Sequence, residues 1–374
     1  MAILEPPSSS AGEGADHGSG PPLRLRRQAL LAALDELRAS DDLAGLRARL
    51  EGLRGAIRPG GQLWHGGAGA DEAVIFAEGL MGAELDQIGA ALTLERARYY
   101  AERLRKAAAG SRTAAINEID LNRWKAYDDI YTDSLWLIER RDGSGVHRAD
   151  YWGNFVPQIP NQLMRRYTRR GDWVIDPFAG AGTTLIEGQR LGRNVLGVEL
   201  QPHLVERVRG LVAAEPNRHG VTSHVAQGDS TGADFAALLA ARGAASAQLA
   251  VLHPPYHDII RFSDDPRDLS NAASVEAFLR LLGKVVENVG AALDRGRYLA
   301  LVIGDKYVRG EWVPLGFQAM QIVQEQGFLL KSIVVKDING TAGKRSQKEL
   351  WRYRALVGGF YVFRHEYMFL FKKR

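Results

Sequence analysis

Trp173-Val-Ile-Asp-Pro-Phe-Ala-Gly-Ala-Gly-Thr-Thr-Leu-Ile-Glu-Gly-Gln-Arg-Leu191 is the stretch whose reading decides the fold. A short apolar run, Trp173-Val174-Ile175, stops at Asp176-Pro177. A glycine turn follows, and beyond it apolar residues return at helical spacing; this order predicts a buried strand, a tight turn and a helix. Gly180 and Gly182 can take backbone angles closed to other residues, and without a Cβ they let a ligand come close to the turn. The helix beyond offers it unpaired N–H donors. The next predicted strand, Asn194-Val-Leu-Gly-Val198, ends in Glu199, at a spacing that suits a carboxylate gripping two ribose hydroxyls. The stretch reads as a nucleoside pocket.

Which nucleoside is decided by residues further on. A dinucleotide turn reads GxGxxG with a pyrophosphate on its helix, whereas here Asp176 opens the turn and the glycine pattern differs. An anion facing the ligand suits a cationic one, and S-adenosylmethionine carries an ammonium and a sulfonium and no phosphate. Downstream, the predicted strand Gln248-Leu-Ala-Val-Leu252 runs into His253-Pro-Pro-Tyr256. Asp176-Pro-Phe-Ala-Gly-Ala-Gly-Thr-Thr184 with His253-Pro-Pro-Tyr256 resembles the amino-methyltransferases that modify exocyclic amines of DNA, N6 of adenine or N4 of cytosine. The resemblance spans roughly Tyr151 to Arg374.

It implies a Rossmann-like methyltransferase fold: α/β, with a mostly parallel, doubly wound sheet whose last two strands form an antiparallel hairpin at one edge. It implies S-adenosylmethionine as cofactor, held by Asp176, Pro177, Phe178, Gly180, Gly182, Thr183 and Thr184 of the turn and by Glu199. Asp229 and Ser230, in Gly228-Asp-Ser230 after the strand Ser223–Ala226, are placed at the adenine amine; on the residues alone, Asp229 reads equally as the cap of a helix starting near Ala233. Phe155, Gln158 and Pro160, ahead of the first strand, are the candidates for the wall at the methionine end, with plain packing as the other reading. The tetrapeptide would hold a base flipped out of the duplex. Tyr256 offers a ring face for stacking, and Pro254 and Pro255 fix the backbone so that a carbonyl, that of Pro254, points at the amine.

The first position of the tetrapeptide departs from the family pattern, which has Asp, Asn or Ser where this chain has His253. Neutral imidazole accepts one hydrogen bond; protonated, it accepts none and repels a developing cation. Methyl transfer is therefore expected to fall as pH drops through the histidine's pKa. The departure leaves the target base open, with cytosine N4 slightly preferred over adenine N6.

Composition narrows the chemistry further. The 374 residues contain no cysteine, which excludes a disulfide framework, a cysteine zinc site and the covalent route to C5 of cytosine. No metal is expected. Lys and Arg number 48 against 44 Asp and Glu, a mildly basic balance that permits a nucleic-acid partner. No run has the length of a membrane span and the N-terminus lacks a hydrophobic signal core, so a cytoplasmic protein is expected.

Along the chain, Met1 to about Pro22 is rich in Ser, Gly and Pro and reads as a disordered tail. Residues 23–150 read as a mainly helical region. Leu30, Leu34 and Leu37, then Leu43, Leu46, Leu50 and Leu53, recur at helical spacing, and a longer helical stretch runs from about Asp71 to Ala109 with a break near Gly89. Its basic second half, Glu95 to Lys106, is either a solvated face or a phosphate contact. Ser134–Ile138 reads as a short strand, and residues 151–374 as the catalytic domain. Helices are expected from Pro160-Asn161 to about Tyr167, about Pro202 to Ala213, about Ser274 to Leu293 and about Leu315 to Gln326. Strands are expected at Arg297–Ile303, Phe328–Val335 and Tyr367–Phe371.

The insertion from Asp337 to about Phe363 interleaves Lys344, Arg345, Lys348, Arg352 and Arg354 with Trp351, Tyr353 and Tyr361, a pattern that suits backbone contact with base stacking on DNA. Only about seventy residues separate the two motifs, and no recognition domain is expected there or after the catalytic domain. Sequence reading would then fall to the helical region or to this insertion. RNA bases or a protein glutamine are the alternative substrates, and a subunit that binds without turnover is a third reading. A partner restriction nuclease is compatible with the resemblance.

Overall fold

The structure, a computed structural model, describes residues 21–65, 73–338 and 348–374. They fall into two compact units, one made of the residues up to Ala115 with Ile119–Ile130, the other of Ile116–Glu118 with Tyr131–Arg374. The second unit begins about twenty residues ahead of the expected start of the catalytic domain, because the segment from Tyr131 feeds its sheet.

The first unit opens on a strand, not on a helix. β1 (Pro22–Arg26) pairs antiparallel with β2 (Ala73–Ala77), Leu23 opposite Phe76 and Leu25 opposite Val74. The helix expected from Asp71 is thus corrected to a strand followed by α3 (Glu78–Gly89) and α4 (Leu94–Ala109). The apolar run Ala73-Val-Ile-Phe-Ala77 is short enough to be read either way, and only its distant partner decides. With α1 (Arg27–Arg38) and α2 (Leu43–Ala56), these helices enclose a core of Leu30, Leu34, Leu46, Leu50, Met81 and Leu85. The basic face of α4 is largely engaged within its own unit. Arg103 pairs with Glu84, Arg105 with Asp35 at 2.7 Å, and Arg98 donates to the Ser40 carbonyl at 2.7 Å.

The second unit is an eight-stranded sheet. In chain order its strands are β3 (Leu135–Trp136), β4 (Trp173–Asp176), β5 (Asn194–Glu199), β6 (Ser223–Gln227), β7 (Ala247–Leu252), β8 (Leu293–Ile303), β11 (Phe328–Asp337) and β12 (His365–Lys373). β9 (Lys306–Val308) and β10 (Glu311–Val313) form a separate ribbon that the sequence reading did not anticipate. The spatial order is β3-β11-β12-β8-β7-β4-β5-β6. Every pairing in the sheet is parallel except those of β12, which lies antiparallel between β8 and β11. The terminal hairpin is present but is not the edge, since β3 pairs with β11 at Val335 opposite Leu135.

Alternate residues of the central strands feed two cores, as expected of a sheet covered on both faces. Val174, Val195, Leu249 and Val251 meet α5 (Gln158–Tyr167), α6 (Thr183–Leu191) and α7 (Pro202–Ala214). Ile175, Leu196, Ala250 and Leu252 meet α8 (Phe235–Ala240), α9 (Val275–Ala292) and α10 (Leu315–Glu325). The insertion expected as a loop contains a helix, α11 (Lys348–Gly358). No helix among the described residues is long and apolar enough to cross a membrane.

Candidate active site

Three neighbouring strands deliver the candidate residues to one edge of the sheet. β7, β4 and β5 are adjacent and parallel, with Ile175 opposite Ala250 and Asp176 opposite Gly197, so Asp176, Glu199 and His253 leave from the same end. At about 4.8 Å between strands, the three tips span roughly 10 Å. Asp176 and the start of the tetrapeptide therefore leave neighbouring strand tips.

Asp176 is 1% exposed, and its Oδ1 accepts a hydrogen bond from the Phe178 amide at 3.0 Å. Burial lifts this carboxyl to about 6, with Thr184 and the Phe178 amide pulling the other way. Pro177 and Phe178 carry the chain into the turn. Gly180 and Gly182 both sit at positive φ, 50° and 79°, and α6 begins at Thr183. Their needs differ. A Cβ at Gly182 would lie 2.8 Å from Val208 of α7, so this glycine serves helix packing, whereas a Cβ at Gly180 would meet nothing closer than the Tyr151 ring at 3.4 Å.

Glu199 ties the second strand tip to the turn. Its Oε2 accepts from the Gly180 amide at 2.8 Å and its Oε1 from the Gln201 amide at 2.9 Å. Burial raises its pKa. Each carboxylate oxygen keeps a second lone pair, so the group can still receive two hydroxyls. Ser230 donates to the Pro177 carbonyl at 2.6 Å, fastening β6's exit to the same turn. Asp229 accepts from the amide and hydroxyl of Thr231 at 2.9 and 2.8 Å. It does not cap the following helix; Asp234 does, accepting from the Ala237 amide at 2.9 Å.

The segment ahead of β4 closes over the turn. Thr183 donates to the Asn154 side-chain oxygen at 2.6 Å, and the Phe155 ring lies 4.8 Å from the imidazole of His253. Pro160 is buried in the first turn of α5, which starts at Gln158, two residues before the expected point. The Gln158 amide is occupied in holding a loop, donating to the Arg140 carbonyl at 2.7 Å and accepting from the Asp142 amide at 3.2 Å. Sequence reasoning missed Tyr151, Asn154 and Phe262. Tyr151 lies over Gly180 and stands 6.0 Å from Phe262, and burial, with Glu199 and Asp268 nearby, raises its hydroxyl's pKa. Tyr151-Trp-Gly-Asn-Phe155 was the available signal; nothing in spacing points to Phe262.

The tetrapeptide is held from behind. Tyr256 Oη donates to Glu366 Oε2 at 2.7 Å, and Glu366 Oε1 accepts from Lys336 Nζ at 2.8 Å. His253 Nε2 lies 3.1 Å from Tyr256 Oη. Gly304 backs the tyrosine ring so closely that a Cβ there would stand 3.0 Å from its Cε2. Pro254 is buried and Pro255 partly so. Burial pushes the His253 imidazole down to about 4, Glu366 acting the other way. Just beyond, His257 takes φ 53° and is locked by the Ala272 carbonyl at 2.9 Å and by Lys306 Nζ at 2.9 Å.

The basic candidates of the insertion are not gathered at this site by any observed contact. Lys344 and Arg345 lie outside the described residues, and Lys348 is described only as the start of α11. Arg352 and Arg354 are exposed on that helix, with the Arg354 guanidinium 5.1 Å from the Trp351 ring centroid.

Strand order defines a Rossmann-like α/β sheet, with Asp176, Glu199 and His253 at neighbouring strand tips. Residues 98–209 match the family model described as DNA methylase of the N6/N4 type. It is 40% identical over 75 residues to the Type II methyltransferase M.MjaII of Methanocaldococcus jannaschii, covering 20% of this chain and 14% of that protein. It is 31% identical over 101 residues to the Type II methyltransferase M2.DpnII of Streptococcus pneumoniae, covering 26% and 34%. The chain thus spans no more than about a third of the length of these curated relatives. Among solved structures, TrmN from Thermus thermophilus aligns with a TM-score of 0.37 and 17% identity, covering 59% of this chain and 49% of that one.

Proposed function

We propose that this chain transfers a methyl group from S-adenosylmethionine to an exocyclic amine of a DNA base, cytosine N4 in preference to adenine N6, on a base flipped out of the duplex. The observation that carries the reading is the convergence of Asp176, Glu199 and His253–Tyr256 on three adjacent strand tips. The residues fit the cofactor. Asp176 is a buried carboxyl with no cationic partner among the described residues, and Glu199 retains free lone pairs at the next tip.

When bound, S-adenosylmethionine supplies an electrophilic methyl group on a sulfonium. Asp176 faces its cationic end and Glu199 accepts from the ribose. The Tyr256 ring, pinned by Glu366 and backed by Gly304, stacks on the target base. The Pro254 carbonyl and His253 accept the two amine hydrogens, directing the nitrogen lone pair toward the methyl carbon. The proton shed by the methylated amine passes to His253 or to water. Catalysis comes from positioning and from acceptors aimed at the positive charge that develops on nitrogen. No cysteine is present to form a covalent adduct with the base.

The test is labelled methyl transfer to DNA, ribosomal RNA and protein in parallel, followed by digestion to nucleosides. Label in N4-methylcytosine or N6-methyladenine from DNA is expected; label confined to RNA or protein overturns the reading. A second expectation concerns pH. With His253 held down to about 4, it is neutral throughout the neutral range, so at saturating cofactor the rate stays level there and falls only as pH drops through about 4. A rate falling through the ordinary histidine range, near 6.5, contradicts this.

A further inference from the structure

Lys336 and Glu366 sit directly opposite each other in the antiparallel pairing of β11 and β12, and both are buried. On the next pair of β12, Tyr367 lies opposite Ile303 of β8, which sets Glu366 beside Gly304, the residue that backs the Tyr256 ring. A continuous line of contacts results: Lys336 Nζ to Glu366 at 2.8 Å, Glu366 to Tyr256 Oη at 2.7 Å, Tyr256 Oη to His253 Nε2 at 3.1 Å.

The line has only one self-consistent set of protons. An ionised carboxylate accepts only, so the single hydroxyl proton of Tyr256 goes to Glu366. Burial disfavours that carboxylate, but the Lys336 ammonium, His253 and the Tyr256 hydroxyl together outweigh it, and the group's pKa stays below the ordinary glutamate value. With its proton committed, Tyr256 Oη can only accept from His253, so Nε2 carries the imidazole hydrogen. Nδ1 is then left with a bare lone pair.

We propose that the Lys336–Glu366 pair, acting through the Tyr256 hydroxyl, selects the Nε2–H tautomer of His253 and so presents Nδ1 as a hydrogen-bond acceptor for the target amine. An aspartate needs no such device, because either carboxylate oxygen accepts. Imidazole accepts only through the nitrogen that lacks a proton. Lys336 and Glu366 are positioning residues, and their role at the target amine rests on the methyltransferase reading above.

The test is two-bond ¹⁵N–¹H correlation on protein labelled with ¹⁵N-histidine, with the His253 signals assigned by their loss in His253→Asn. The wild-type protein is expected to show protonated Nε2 and bare Nδ1 at neutral pH. In Glu366→Gln, the ammonium of Lys336 keeps the amide oxygen and turns the amide NH₂ toward Tyr256. Tyr256 then accepts from Gln and donates to His253, which flips the tautomer to Nδ1–H. Methyl transfer to DNA falls about ten- to hundredfold in kcat, the effect of one lost buried hydrogen bond in the transition state. KM for the cofactor stays within about threefold. In Lys336→Met/Glu366→Gln the amide is free to turn back, and both the Nε2–H tautomer and part of the lost rate return.

Nδ1–H in the wild-type protein overturns the proposal, whether or not any variant folds. So does a Glu366→Gln enzyme that loses rate while keeping the Nε2–H tautomer, or one that flips the tautomer at full rate. The expected tautomers in a protein that methylates no DNA leave tautomer selection standing and remove the DNA reading instead.

Discussion

Tyr256→Ala loses methyl transfer to DNA by about 10²- to 10³-fold in kcat/KM while binding S-adenosylmethionine close to wild-type strength. Two losses add. Stacking of a base on an aromatic side chain is worth about 1–3 kcal/mol. Removing the phenol also frees the imidazole of His253 from Tyr256 Oη at 3.1 Å, which costs about one hydrogen bond to the target amine, roughly 0.5–1.5 kcal/mol. Cofactor binding is spared because Asp176 and Glu199 reach the site from other strands. Tyr256→Phe separates the two contributions: it keeps the ring face and loses the hydroxyl, and should fall between wild type and Tyr256→Ala. Single-turnover rates with DNA, read beside cofactor titrations, check this; an Ala variant within twofold of wild type contradicts it.

Asp176→Asn weakens binding of S-adenosylmethionine by about ten- to hundredfold at neutral pH, the scale expected when one charge of a buried pair is removed. The amide oxygen can still accept from the Phe178 amide, so the turn keeps its shape. The pH dependence separates this from a packing effect. The free carboxyl is raised to about 6 by burial, and only its ionised form attracts a cation. Wild-type affinity therefore falls as pH drops through about 6, and the Asn variant's does not. Stability moves the other way. A carboxyl whose folded pKa is raised stabilises the fold only below its unfolded value, and that contribution is lost as pH rises through about 6. Asp176→Asn is accordingly more stable than wild type at neutral pH, by on the order of 2 kcal/mol. Calorimetric titration across pH and denaturant unfolding read the two effects. A variant less stable than wild type that binds as well contradicts both.

The central parallel sheet and its strand tips were legible because each is written locally. A strand, a glycine turn and a helix occupy consecutive residues from Trp173 to Leu191, and a strand runs straight into His253-Pro-Pro-Tyr256. What escaped is what depends on distant pairing. β1 shows alternation over five residues only, and its partner stands some fifty residues on, so the stretch after Asp71 passed for helix. β3 is two residues long and exists only because β11 offers it an edge. Glu366 and Lys336 look like ordinary charges on a surface strand until the β11–β12 register sets them face to face and turns Glu366 toward Tyr256. Gln158 shows the converse. Its place in the chain suggested the pocket, but its amide is spent on the backbone of Arg140 and Asp142.

A crystal structure of the protein with S-adenosylhomocysteine tests the shared site most directly. Its ribose should rest on Glu199, its amino group should face Asp176, and its sulfur should point past Phe155 at His253 and Tyr256. An adenosine bound anywhere other than the tips of β4 and β5, or a sulfur turned away from the tetrapeptide, would mean that methyl donor and base do not meet where these strands end.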